Sequence, residues 1–184
     1  MTKIRCSVLK KWEYTAKDGR TILVRTAQRG DAPKLHEGFH RVVDEGTWLP
    51  TFSANSHITD WVHWIDKTNR NRDILLIAFL DDEYAGHLTL QPEEWNASQH
   101  VAKLGIIVVK ECRNIHVGRS LMLAVEEIGL ERDFTKIILS TFDDNEVAKA
   151  LYLDLGYRIV GIRKKHFNMP TGFVDELLME KEIC

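Results

Sequence analysis

Hydrophobic positions along the chain fall into short runs separated by polar turns, and the spacing within each run predicts its element. Residues 4 to 14 and 21 to 27 read as two strands joined through Ala16-Lys17-Asp18-Gly19, an Asp-Gly hairpin turn. Asp31 ahead of Ala32 and Pro33 sets an N-cap acid and a first-turn proline at the start of a helix that runs to about Asp44, where Gly46 can stop it. Thr47 to Ser56 has no period. A second helix is expected from near Thr59, carrying Trp61, Val62, Trp64 and Ile65 and ending at Asn69-Arg70-Asn71.

The second half is more regular. Ile74 to Leu80 is continuously apolar, Asp81-Asp82-Glu83 is a turn, and Tyr84 to Leu90 is a further strand, so the pair forms a meander. After a polar loop over residues 92 to 99, Leu104-Gly105-Ile106-Ile107-Val108-Val109 closes a strand from Val101 with the look of one buried on both faces. Val117, Leu121, Val125 and Ile128 recur at helical spacing, predicting a helix to about Glu131. A strand over Lys136 to Thr141, a helix from Asn145 to about Leu155, and strands over Tyr157 to Arg163 and Phe173 to Glu180 complete the order. This mixture of hairpins and crossovers is an α+β or mixed α/β sheet with helices packed on it. With no repeat, linker or low-complexity tract, residues 1 to 184 are expected to form a single domain.

Composition narrows the class. Hydrophobic residues at 44% and charged residues at 28% exclude a disordered or fibrous chain. A net charge of −2 supplies no general attraction to nucleic acid or to an anionic membrane, so neither is expected as a partner and any anion site must be local. Cys6, Cys112 and Cys184 are odd in number and lack C-x-x-C spacing, which argues against a disulfide framework or a thiolate zinc site and fits a reducing cytoplasm. The charged N-terminus does not resemble a signal peptide, and no apolar run is long enough to span a bilayer.

The local anion site is suggested by Val108-Val109-Lys110-Glu111-Cys112-Arg113-Asn114-Ile115-His116-Val117-Gly118-Arg119-Ser120. A buried strand enters a short loop that opens onto a helix, so unpaired backbone N–H groups and the positive end of the helix dipole converge there. Lys110, Arg113 and Arg119 add charge, opposed by Glu111. This loop resembles the diphosphate loop Q/R-x-x-G-x-G/A of the GCN5-related N-acetyltransferase (GNAT) superfamily, with Arg113, His116 and Gly118 at its marked places. His116 replaces the usual glycine and Asn114 stands where many members have another; both are residue types that tolerate φ > 0. Downstream, Asn145, Ala148, Leu151, Tyr152, Leu155, Gly156 and Tyr157 are similar, place by place, to the family's N-x-x-A-x-x-L-Y-x-x-L-G-F/Y segment, and residues 174 to 180 are similar to its last strand. The resemblance covers about Thr21 to Glu180 and leaves the first twenty residues as an added hairpin.

The resemblance implies a fold, a cofactor and a division of labour. The fold would be a central mixed, mostly antiparallel sheet of about seven strands flanked by about four helices. Acetyl-CoA would be the co-substrate, its diphosphate held by Arg113, Asn114, Ile115, His116, Val117, Gly118, Arg119 and Ser120. Main-chain groups of Ile106, Ile107 and Val108 and the Asn145 side chain would meet the pantetheine. Tyr152 would protonate the departing thiolate, giving N-acetyl transfer to a primary amine by direct attack. The acceptor, a small-molecule amine or a protein N-terminus, would lie against residues 44 to 64, where Trp48, Trp61 and Trp64 could shape a pocket and Asp44, Glu45 and Asp60 could draw a cation. Ser140 and Lys103 occupy places where some members have a glutamate base. The remaining candidates are Glu45, Asp60, His87, Glu94, His100 and Asp143, or a water.

Two other readings stand beside this one. His36-Glu37-Gly38-Phe39-His40 spells H-E-x-x-H, the pattern of a zinc hydrolase, yet Gly38 weakens the helix that would present both imidazoles and no third ligand is evident, so no metal is expected. A non-catalytic acyl-CoA sensor of the same fold would account for the missing carboxylates. Cys112, following a buried strand, fits packing better than acyl transfer. The terminal strands and the added hairpin leave edges through which a homodimer could form.

Overall fold

The computed structural model describes residues 9–70 and 72–183. Among these, eight strands and four α-helices follow in the order β1 (Lys11–Thr15), β2 (Thr21–Thr26), α1 (Ala32–Asp44), α2 (Ile58–Arg70), β3 (Ile74–Leu80), β4 (Glu83–Pro92), β5 (Val101–Val108), α3 (Val117–Glu131), β6 (Lys136–Phe142), α4 (Glu146–Asp154), β7 (Arg158–Met169) and β8 (Gly172–Glu182). The strands form one sheet in the order β1-β2-β3-β4-β5-β6-β8-β7, antiparallel at every step except β5–β6. The expected mixed, mostly antiparallel sheet is therefore present with eight strands, β1 of the N-terminal hairpin included. The part of that expected first strand before Leu9 lies outside the described residues, as do Cys6 and Cys184. No helix among the described residues is long and apolar enough to cross a membrane.

Both faces of the sheet are covered, and the period of two in β3 divides its side chains between them. Ile74, Leu76, Ala78 and Leu80 join a core with Leu121, Val125 and Ile128 of α3. Leu75, Ile77 and Phe79 join another with Leu35 of α1 and Trp61 and Ile65 of α2. All seven residues of β3 are buried, which is why its sequence runs apolar without alternation.

Two local expectations differ from what forms. Asp31 does precede α1, but its side chain does not cap the helix. It accepts from the Gln28 backbone N–H at 2.7 Å and from both terminal nitrogens of Arg25 at 2.7 Å, closing the 3-10 turn that leads into the helix. The strand expected over residues 157 to 163 runs to Met169, through the polar stretch Lys164-Lys165-His166. β7 is an edge strand whose side chains are mostly exposed, so hydrophobicity could not mark its end. Its pairing with β8 also slips between Arg163 and Phe167, with Lys165 at φ 52°.

The feature that shapes the molecule is a fork. β5 and β6 pair only through Val101↔Lys136, Ala102↔Ile137 and Lys103↔Ile138. Beyond this, β5 stays with β4 as far as Gly86↔Val108, while β6 stays with β8 as far as Phe142↔Glu176. The facing edges, residues 104–108 and 139–142, therefore lose their mutual ladder and leave backbone N–H and C=O groups seeking other partners.

Candidate active site

A cleft of about 940 Å³ fills the fork. Its walls are the separated edges of β5 and β6, the loop before α3, one face of α4, residues Trp48, Leu49 and Pro50 of the α1–α2 connection, Phe167 of β7 and Lys17 of the hairpin turn. Of the residues singled out from sequence, Ile106, Ile107, Val108, Arg113, Asn114, His116, Gly118, Arg119, Asn145 and Tyr152 border this cleft. Ile115, Val117 and Ser120 do not: Ile115 and Val117 pack on the core, and the Ser120 hydroxyl donates to the His116 carbonyl at 3.0 Å.

The loop takes the shape its residue types allow. Asn114 sits at φ 63° and His116, the N-cap of α3, at φ 81°, both in the left-handed region. The Ser120 N–H closes on the His116 carbonyl at 2.9 Å, so the N–H groups of Val117, Gly118 and Arg119 precede the helical ladder at the positive end of α3. Gly118 keeps this end narrow, because a Cβ there would approach Leu151 of α4 to 3.3 Å.

The side chain of Arg113 is committed elsewhere. Its Nε donates to the Val108 carbonyl at 3.0 Å and its two terminal nitrogens each donate to Glu45 at 2.7 Å, a bidentate pair joining the loop before α3 to the end of α1. Glu45 is thereby used as a strut. Cys112 lies beside this loop, half-buried against the core, and burial raises its thiol above the ordinary value, so it packs as a neutral group.

At the start of α4, the Asn145 side-chain Oδ1 accepts from the Ala148 N–H at 3.2 Å, capping the helix while bordering the cleft. Tyr152 follows two turns on. Its side chain is buried among core residues, its ring lies 6.0 Å from that of Tyr157, and burial pushes its phenol up to about 12. It remains a protonated acid throughout the neutral range.

The other proposed bases fall outside the cleft. Asp60 accepts from the His57 N–H at 2.7 Å at the start of α2, and Glu94, His100 and Asp143 do not border the cavity. His87 is buried between α1, α2 and the sheet. Its ring packs 5.3 Å from that of Trp61, its Nδ1 and the Tyr84 hydroxyl share a hydrogen bond of 2.7 Å, and burial pulls its pKa down to about 3. Of the three tryptophans, only Trp48 borders the cleft. Trp61 packs against Phe39 and Trp64 with centroids 5.7 and 5.4 Å apart.

The H-E-x-x-H sequence also has a structural explanation. His36 Nε2 bonds the Ser56 carbonyl at 2.9 Å, tying α1 to the segment before α2, and its ring faces that of His40 at 4.2 Å. No group of three or more His, Cys, Asp or Glu with metal-binding geometry occurs among the described residues. Gly38 is the close-approach point of α1 on β4, since a Cβ there would stand 2.0 Å from a ring carbon of Tyr84. Gly38→Ala should therefore destabilise the fold by about 1–3 kcal/mol from overpacking, offset by up to about 1 kcal/mol of helix propensity. Urea unfolding checks this, and a gain in stability would contradict the contact.

Sequence reasoning missed Glu176. This β8 residue is 6% exposed and accepts from Arg163 at 2.8 Å, with His166 Nε2 at 3.3 Å. Burial pushes its carboxyl up, but hydrogen bonds from Ser140 and Arg163 and the charges of His166 and Arg163 outweigh this and hold it below the ordinary range. Ser140 borders the cleft. A serine hydroxyl can accept as well as donate, so Ser140 offers its oxygen to a donor in the cleft. A lone glutamate in a terminal strand gave no signal of this, because the link exists only through cross-strand register, Phe142↔Glu176 and Ser140↔Leu178.

A forked sheet opening onto a left-handed loop and a helix N-terminus offers a slot between two strands with room for a long, phosphate-bearing molecule. The acetyltransferase (GNAT) family model matches residues 41–157, and the chain belongs to that family. It is similar to the L-amino acid N-acetyltransferase AaaT of Escherichia coli (strain K12), at 32% identity over 109 residues, 58% of this chain and 66% of that protein, so the match spans just under two thirds of the relative's length. Its fold is that of the GNAT acetyltransferase from Streptococcus pneumoniae (TM-score 0.83, 23% identity, 89% of this chain and 99% of that one). It is also that of yncA from Salmonella typhimurium, solved with its cofactor acetyl-CoA (TM-score 0.82, 11% identity, 89% and 94%).

Acetyl-CoA is the family's co-substrate, and the residues present fit it. The fork exposes strand-edge hydrogen-bonding groups where an extended amide arm can lie, the cleft walls are largely apolar, and the loop offers backbone N–H groups to phosphate.

Proposed function

We propose that the chain is a cytoplasmic, single-domain N-acetyltransferase that passes the acetyl group of acetyl-CoA to a primary amine by direct attack in a ternary complex. The observation that carries this reading is the β5–β6 fork, with the left-handed loop at one end and Tyr152 on its wall. The first turn of α3, with the backbone of residues 113 to 118, holds the diphosphate. Main-chain N–H groups of Ile106 to Val108 that face the fork orient the arm and donate to the oxygen that gains charge during attack. Tyr152 gives its proton to the leaving sulfur, and the proton that the attacking nitrogen sheds as the amide forms returns to the Tyr152 oxygen. Ser140 accepts an N–H of the attacking amine and so turns the nitrogen lone pair toward the carbonyl.

An L-amino acid is the first acceptor to test, on the strength of the Escherichia coli relative's name. Thiol release from acetyl-CoA should be measured against a panel of L-amino acids, polyamines and peptides with free N-termini. Release with at least one amine is expected. Tight acetyl-CoA binding with no release across the panel would instead identify a non-catalytic sensor. Ser140→Ala should lower kcat/KM for the acceptor about tenfold, the worth of roughly one hydrogen bond, with CoA affinity unchanged in calorimetry. An unaltered kcat/KM would remove Ser140 from the site.

A further inference from the structure

Coenzyme A carries its negative charge on phosphates, so its cleft needs cations that are not already neutralised. Lys17, Arg113 and Arg119 border the cavity. Arg113 is held by Glu45 through two bonds of 2.7 Å, and Arg119 donates to Asp154. Lys17 differs. No ion pair engages its ammonium among the described residues. Its sequence neighbour Asp18 could have compensated it, but that carboxylate is occupied by Arg20, whose side chain donates to it at 3.0 and 2.7 Å and whose backbone N–H donates at 3.2 Å.

The position of Lys17 is fixed relative to the phosphate-facing loop. The β1–β2 turn is closed by Ala16 N–H to the Arg20 carbonyl at 2.9 Å and by Gly19 N–H to the Ala16 carbonyl at 3.0 Å, with Gly19 at φ 88°. The Lys17 backbone N–H then donates to the Ile115 carbonyl at 3.3 Å, between the two left-handed residues Asn114 and His116. A hairpin outside the family match at residues 41–157 is thus tied to the centre of the loop and delivers an uncompensated lysine to its rim.

We propose that Lys17 is a counter-charge for the phosphates of coenzyme A, which makes the added N-terminal hairpin part of the cofactor site. This rests on the acetyl-CoA reading above and assigns a role to a residue outside the family's motif. An ammonium is a compact charge with three donors and can serve either the diphosphate or the 3′-phosphate.

The test is calorimetric titration of CoA, dephospho-CoA and pantetheine into the wild type and into Lys17→Ala, Lys17→Glu and Lys17→Arg, with melting curves to confirm folding. Lys17→Ala should weaken CoA about five- to tenfold at low salt, as expected for one partly exposed ion pair, and the loss should shrink as salt rises. Lys17→Glu should weaken it further, Lys17→Arg should restore affinity, and pantetheine should be indifferent to all three. An equal loss with dephospho-CoA assigns Lys17 to the diphosphate, and a loss confined to CoA assigns it to the 3′-phosphate. Wild-type CoA affinity in both the alanine and glutamate variants overturns the proposal while leaving the acetyl-CoA reading intact. Failure of the wild type itself to bind CoA sinks that reading first.

Discussion

Replacing Tyr152 with phenylalanine should lower kcat about a hundredfold, the lower end of what a positioned proton donor contributes, without changing the affinity for CoA. A thiolate leaving into an apolar cleft gains little from solvent, so a neutral donor within it lowers the barrier. Tyr152 suits that task because burial has moved its phenol up to about 12, leaving it protonated through the neutral and mildly alkaline range. The pH profile follows. As pH rises toward about 10 the amine loses its proton and becomes nucleophilic, while Tyr152 keeps its own, so kcat/KM should climb with no descending limb from this residue. Phenylalanine keeps the ring, its burial in the core and its packing 6.0 Å from Tyr157, so the variant should fold normally. Equal kcat in a well-folded Tyr152→Phe protein would remove the tyrosine from the reaction. A fall in kcat accompanied by weakened CoA binding would make it a positioning group.

Most of the sheet was legible because its period is enforced from both sides. β3, with all seven residues buried, admits only an apolar run, and the helical spacing of Val117, Leu121, Val125 and Ile128 survives because that stripe packs on the sheet. The end of β7 was not legible, because an exposed edge strand places no demand on side-chain polarity. The α3 end of the cleft could be read from contiguous residues: the left-handed positions of Asn114 and His116 and the cap at Asn145 are local events. Distant pairings were hidden. Nothing in the chain links Glu45 to Arg113, Glu176 to Ser140 or Lys17 to Ile115 until the sheet brings them together. Glu45 illustrates the consequence, since it counted as a free carboxylate in sequence and is engaged by a guanidinium in the fold.

His87 should make the protein acid-sensitive well above the range where carboxylates titrate. Buried with its Nδ1 hydrogen-bonded to the Tyr84 hydroxyl, it has a pKa pulled down to about 3 by loss of solvent, against an ordinary value of 6.5 once the chain unfolds. Between these values the unfolded chain binds one proton more than the folded one, so stability is fully present above about pH 6.5 and is lost as pH falls toward about 3. The slope is about 1.4 kcal/mol per pH unit, and between about pH 6.5 and 4.5 it amounts to about 2 kcal/mol. Asp31, Glu176 and Glu180, whose carboxyls are held below their ordinary values by their partners, add losses that begin below about pH 5.5. Urea unfolding at about pH 7.5, 6.5, 5.5 and 4.5 measures the slope, and His87→Gln separates the titration from the packing. Glutamine offers Tyr84 a hydrogen-bonding partner and cannot gain a proton, so the variant should be less stable at the highest pH yet nearly flat from about pH 6.5 to 5.5, keeping only the carboxylates' decline below that. A wild-type protein without the slope, or a glutamine variant that keeps it, would show that His87 does not govern the acid response.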